Sequence, residues 1–134
     1  MQRRILIIDD DDDIREVAAL TLEMVAGWNV VTANSGANGI QRARQENPDA
    51  ILLDVMMPGM DGLEVCKRLK SDPATRYIPV VMVTALSDVA DRLRGLEVGA
   101  DDFLTKPVND VALFARVRSL IRLKRTLEIG RAHV

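Results

Sequence analysis

The chain predicts an α/β fold built on a five-stranded parallel sheet, and three observations carry that expectation. Short apolar runs alternate five times with amphipathic stretches, the rhythm of βαβ units. A length of 134 residues with 48% hydrophobic content suits one domain that buries a core without a disulfide or structural metal. Polar residues suited to chemistry then follow the apolar runs directly, as expected where parallel strands end and ligands bind.

The strands are expected at 4–8, 29–33, 50–53, 80–83 and 102–105. The first helix is expected over 12–26, with Ile14, Val17, Ala18, Thr21, Leu22 and Val25 at helical spacing and Gly27 as its stop. A second spans 36–46 and ends before Pro48. The third starts near Gly62, turns Leu63, Val65, Cys66 and Leu69 to its apolar side, and stops before Pro73. A fourth covers 88–98 and is terminated by Gly99. The fifth, capped by Asn109 or Asp110, carries Val111, Phe114, Val117, Leu120 and Ile121.

Composition narrows the function. A net charge of -2 and a pI near 5.4 argue against a nucleic-acid surface, since neutralising phosphates needs clustered Lys and Arg, and Arg92 with Arg94 does not make a patch. Cys66 is the single cysteine, so no internal disulfide forms; its expected role is a small buried side chain on a helix, not a nucleophile. No apolar run approaches the ~18 residues of a membrane span, so a cytoplasmic location is expected.

Five consecutive aspartates, Asp9 to Asp13, follow the apolar run 5–8. Two carboxylates ~4 Å apart repel by roughly 1 kcal/mol in water and about four times that at a protein surface. Asp11, Asp12 and Asp13 fall where a helix cap and first turn belong, and there acidic side chains are favoured. Asp9 and Asp10 sit earlier, at the strand tip, where a hard divalent cation such as Mg²⁺ explains them better. Asp54 follows the third strand, Thr84 and Ala85 the fourth, and Lys106 with Pro107 the fifth. Three carboxylates, a hydroxyl and an ammonium on one rim would hold a metal and a tetrahedral anion. A carboxylate can attack a phosphoryl group when cations neutralise the transferred oxygens, and Asp54 is the candidate.

The segments IIDDD, LLDVMMPGMDG, VTA and FLTKP, in this order, resemble the receiver domain of bacterial two-component response regulators over residues 3 to 123. The spacings are 44 residues from Asp10 to Asp54, 30 from Asp54 to Thr84 and 22 from Thr84 to Lys106. The resemblance, and not the periodicity, implies a doubly wound, flavodoxin-like (βα)5 fold with strand order 2-1-3-4-5. It implies that Asp54 accepts the phosphoryl group and that Asp9, Asp10, Asp54 and the carbonyl of Met56 place Mg²⁺. It further implies that Thr84, Ala85 and Lys106 bind the phosphoryl oxygens, and that Thr84 and Phe103 form a switch pair. Phe103 replaces the tyrosine often found there, which removes a phenol hydrogen bond but keeps a ring that can turn. The implied function is a phosphorylation-activated switch, not an enzyme, charged by a sensor histidine kinase or histidine phosphotransfer protein. Homodimerisation through helix 4, strand 5 and helix 5 is a further expectation, with Asp101, Asp102, Arg94, Arg116 and Arg118 near that face.

Met56 and Leu86 are apolar where some receivers carry groups that orient an attacking water, so slow self-dephosphorylation is expected. The stretch 102–124 is similar to receivers that precede diguanylate cyclase domains, those of the PleD type. Residues 124–134 are expected to extend the last helix as a linker to an output domain; a free-standing receiver acting as phosphate shuttle or scaffold is the alternative. A phosphatase with an aspartate nucleophile is disfavoured because Met56 stands where its acid/base aspartate belongs. A flavodoxin-like electron carrier is disfavoured because the aspartates would repel a flavin phosphate. His133 is the sole histidine, so the phosphodonor is a separate protein, domain or small acyl phosphate.

Overall fold

A computed structural model describes residues 3–85, 89–106 and 110–132, with the backbone alone at 110, 111 and 124–132. Leu86, Asp88, Pro107, Asn109 and His133 therefore lie outside the described residues, as do the side chains of Asp110 and Val111. The elements in order are β1 (Arg4–Ile8), α1 (Asp12–Ala26), β2 (Asn29–Ala33), α2 (Gly36–Glu46), β3 (Ala50–Asp54), α3 (Gly62–Ser71), β4 (Val80–Thr84), α4 (Val89–Glu97), β5 (Asp102–Thr105) and α5 (Asp110–Ala132). All strand pairs are parallel and the sheet order is β2-β1-β3-β4-β5, the order implied by the resemblance.

Strand side chains alternate between faces, and both faces are covered. Leu6, Ile8, Ile51, Leu53, Val80 and Met82 pack with Ile40, Val65, Cys66 and Leu69 of α2 and α3. Ile5, Ile7, Leu52, Val81 and Leu104 pack with Leu22 of α1 and with Leu113, Val117 and Ile121 of α5. Each such aliphatic side chain contributes roughly 1.5–3 kcal/mol on full burial, so this double layer dominates the stability and holds the strand ends rigidly in register.

Helix ends follow local chemistry. The Asp11 carboxylate accepts hydrogen bonds from the Asp13 and Ile14 amides, capping α1. Gly27, at φ 67°, closes α1 by donating its amide to the Glu23 carbonyl. Ser35 and Asp61 cap α2 and α3 in the same way.

Three boundaries and one helix face differ from the expectation. Strands β3 and β4 run one residue further, so Asp54 and Thr84 are the last strand residues, held by pairing to Val83 and Thr105. Helix α4 ends at Glu97, one residue early, with Gly99 at φ 98° in the turn that follows. In α1 the expected apolar face is rotated: Ile14, Val17 and Val25 are exposed, whereas Leu22 is buried and Ala18, Ala19 and Ala26 pack beside it. Small alanines let the helix lie close to the sheet, and that stripe faces inward in preference to the larger aliphatics. Cys66 is fully buried, and burial pushes its thiol up to about 11, as befits a packing residue.

Candidate functional site

Parallel pairing brings the carboxyl ends of β1, β3, β4 and β5 to one rim, and the residues singled out in sequence converge there. One carboxylate oxygen from each of Asp9, Asp10 and Asp54 lies within 4.8 Å of the others. Asp9 and Asp54 are buried, at 5% and 4% exposure, while Asp10 is open to solvent. The Lys106 Nζ lies 3.0 Å from Asp54 Oδ1, and the Met56 amide donates to the same oxygen at 3.3 Å. Thr84 is 1% exposed, and its hydroxyl is buried without a hydrogen-bond partner. A phosphoryl oxygen would be a fitting acceptor for this hydroxyl. Ala85 follows at the exposed end of β4, and Lys106 is anchored by its amide to the Thr84 carbonyl at 2.8 Å.

The electrostatics fit a cation. Burial pushes the Asp9 carboxyl up to about 6, with repulsion from Asp54 and Asp10 adding to it; the Asp11 amide, donating to Asp9 Oδ1 at 2.9 Å, and the charge of Lys106 pull the other way. One ammonium against three carboxylates leaves the rim short of positive charge, and these hard oxygen donors match Mg²⁺ chemistry.

Phe103 is half-buried on β5, with Gly95 of α4 against its ring. Arg92 of α4 donates to the Thr105 hydroxyl, tying that helix to β5 beside Lys106. Three supporting residues escape sequence reasoning. Arg15 donates to the Asp9 carbonyl at 2.8 Å and pairs with Asp12, fixing the first strand tip; an arginine three residues past Asp12 in a first helical turn is its only trace. Arg92 gives no periodic signal. Gly62 is needed because a Cβ there would sit 2.3 Å from the Asp54 carbonyl oxygen, a close approach visible only in three dimensions.

The charges expected at a dimer face are engaged within the chain. Asp101 accepts from Lys70 and from the Val80 amide, each at 2.8 Å, and Asp102 pairs with Arg116 at 3.0 Å. Arg94 lies 3.7 Å from Asp91.

Fold and site together define a doubly wound α/β signalling domain with an acidic, lysine-bearing rim suited to holding a phosphoryl group on an aspartate. The model of the response regulator receiver domain matches residues 5–118, and the chain belongs to that family. Response regulator PleD of Caulobacter vibrioides is 54% identical over 130 residues, 96% of this chain but 28% of that protein. The DNA-binding dual master transcriptional regulator RpaA of Synechocystis is 49% identical over 119 residues, 89% of this chain and 49% of that protein. The chain thus spans half or less of the length of these two curated relatives. Among solved structures, a response regulator from Chloroflexus aurantiacus is 38% identical with a TM-score of 0.86, covering 91% of this chain and 99% of that one. The receiver domain of a histidine kinase from Syntrophus aciditrophicus is 40% identical with a TM-score of 0.82, covering 90% of each. The chain is accordingly a phosphorylation-activated regulatory domain of two-component signalling and not itself a catalyst. Receivers take phosphate from histidine kinases or phosphotransfer proteins and bind Mg²⁺ at the acidic pocket. No described helix is long and apolar enough to cross a membrane.

Proposed function

We propose that Asp54 is the phosphoacceptor of this switch. The observation that carries the reading is a buried carboxylate at a strand end, 3.0 Å from Lys106, inside a cluster with Asp9 and Asp10. An Asp54 oxygen forms the new bond to phosphorus as the bond from phosphorus to the donor's leaving atom breaks. Asp9, Asp10, Asp54 and the Met56 carbonyl would hold Mg²⁺, which supplies charge neutralisation for the transferred oxygens. Lys106, 3.0 Å from Asp54 Oδ1, would offset charge on the same oxygens. The Ala85 amide and the Thr84 hydroxyl then donate to phosphoryl oxygens, which gives the orphaned hydroxyl its partner.

Movement of Thr84 toward the phosphate frees space for the Phe103 ring, and α4 and β5 rearrange with it. Protein partners are a sensor histidine kinase or a histidine phosphotransfer protein, and the site of action is cytoplasmic. Residues 1–123 form the receiver, and residues 124–134 lead into an output domain of the diguanylate cyclase kind; a phosphate shuttle or scaffold is the second reading. A homodimer through α4, β5 and α5 rests on exposed Val89, Leu93 and Leu96 of α4 more than on ion pairs. Met56, 67% exposed, offers no polar group to steer water, so the acyl phosphate decays slowly. Met56→Asn is expected to shorten its half-life; an unchanged decay curve counts against that role. Phosphoryl uptake from acetyl phosphate by the native chain, followed by intact mass with Asp54→Asn alongside, tests the main reading.

A further inference from the structure

A second concentration of charge lies away from the acidic rim, at the opposite ends of the strands. Arg3 immediately precedes β1, Trp28 follows the Gly27 that closes α1, and Phe114, Arg118 and Arg122 lie on α5. These residues, with Ala26 and Ile121, line a cavity of about 190 Å³. Three arginines and no acidic residue are among the described residues that line it, although the chain as a whole is net negative. The Arg3 Nη1 is buried and lacks a hydrogen-bond partner. Arg118 lies with its guanidinium carbon 5.0 Å from the centroid of Phe114, and Phe114 stacks on Trp28 with centroids 5.2 Å apart. The aromatic pair therefore forms a rigid floor that orients Arg118, as guanidinium groups favour aromatic faces.

We propose that this cavity binds the phosphate group of a small anionic ligand. Guanidinium is suited to this, because its planar fork donates two parallel hydrogen bonds to an oxyanion. An unpartnered Arg3 donor in a cavity it shares with the Arg118 guanidinium is satisfied by an acceptor that carries negative charge, and a tetrahedral oxyanion accepts from more than one donor at once. The cavity holds a phosphate or phosphomonoester and is too small for a folded partner. Its walls come from the end of α1, the start of β1 and the middle of α5, so an occupied site clamps α5 against the sheet.

Trp28 is the only tryptophan and lines the cavity, so its emission reports on this site directly. The native chain is titrated with inorganic phosphate and, separately, with glycerol phosphate, at constant ionic strength and with a chelator present to disfavour anion binding at the acidic rim. A saturable change in Trp28 emission is expected, with tighter binding of one arm identifying free phosphate or an organic phosphate as the source. Arg3→Gln and Arg118→Gln are each expected to weaken it at least tenfold while leaving the response to Mg²⁺ and beryllofluoride intact. The proposal is overturned by the lack of a saturable emission change with either ligand, or by unchanged binding in both variants. Should Arg3→Gln fail to fold, Arg118→Gln, on an exposed position of α5, decides alone.

Discussion

Asp9 carries the strongest electrostatic tension among the site residues. Its folded carboxyl titrates near 6 against an ordinary 3.8, because burial and neighbouring carboxylates disfavour the ionised form. The sign follows: below about pH 4 the group is protonated in both states and costs nothing, whereas above about pH 6 the folded chain carries the full penalty. Stability from this residue therefore falls as pH rises through that window, by roughly 3 kcal/mol at most. Asp9→Asn is expected to raise the Tm of the metal-free chain at pH 7.5, to leave it nearly unchanged at pH 4, and to abolish the rise produced by Mg²⁺. Native chain at a hundredfold excess of Mg²⁺ over its Kd gains about 2.7 kcal/mol at neutral pH. Thermal unfolding at both pH values, with Mg²⁺ or chelator, reads all three effects; a lower Tm for the variant at pH 7.5 without metal contradicts the reading. Asp9, Asp54, Thr84 and Lys106 are legible in sequence because each stands at the end of an expected strand, and a parallel sheet turns that position into a shared rim. Arg15 and Gly62 are not, since a side chain reaching back to a carbonyl and a missing Cβ leave no periodic trace.

Elements divide the aspartate run between two tasks. Asp11 caps α1 and stands apart from the carboxylate cluster, so Asp11→Ala is expected to cost about 1 kcal/mol of stability while phosphorylation of Asp54 persists. Denaturant unfolding and a phosphorylation assay on the same variant separate the roles, and loss of both together refutes the division. Helix α4 meets Phe103, half of the proposed switch pair, at Gly95. A Cβ at Gly95 would fall 2.7 Å from Phe103 Cε1 and 3.0 Å from Met82 Sδ. Gly95→Ala is thus expected to destabilise the unmodified chain by about 1–3 kcal/mol. With beryllofluoride bound the loss shrinks, since inward movement of the ring removes the clash; equal losses in both states argue against ring motion. The helical period locates α1 and its ends but misjudges its inner face. Ala18, Ala19 and Ala26 pack beneath it, and spacing alone does not reveal that close approach to a sheet outranks side-chain size.

At the scale of the whole molecule, the parallel sheet is a rigid frame through which phosphorylation at its rim would reach α4, β5 and α5, as proposed. Moving a two-state population from 1:99 to 99:1 requires about 5.5 kcal/mol of differential binding. A dianion on Asp54 that gained the Thr84 hydroxyl and paired more strongly with Lys106 and a divalent ion than the bare carboxylate does would be an adequate source, because only contacts that differ between the two states shift the population. Strand order comes from family motifs and not from periodicity, which shows which segments are strands but not which are neighbours. The pairing of Asp102 with Arg116 inside the chain is hidden for the same reason: only the fold reveals which opposite charges meet first. The central claim is that the acidic rim exists to make Asp54 a phosphoryl acceptor. Incubation with acetyl phosphate and Mg²⁺, followed by intact mass, tests it most directly. One added phosphoryl group on the native chain, absent in Asp54→Asn and absent without divalent metal, is the expected result; no adduct, or an adduct that survives the substitution, contradicts it.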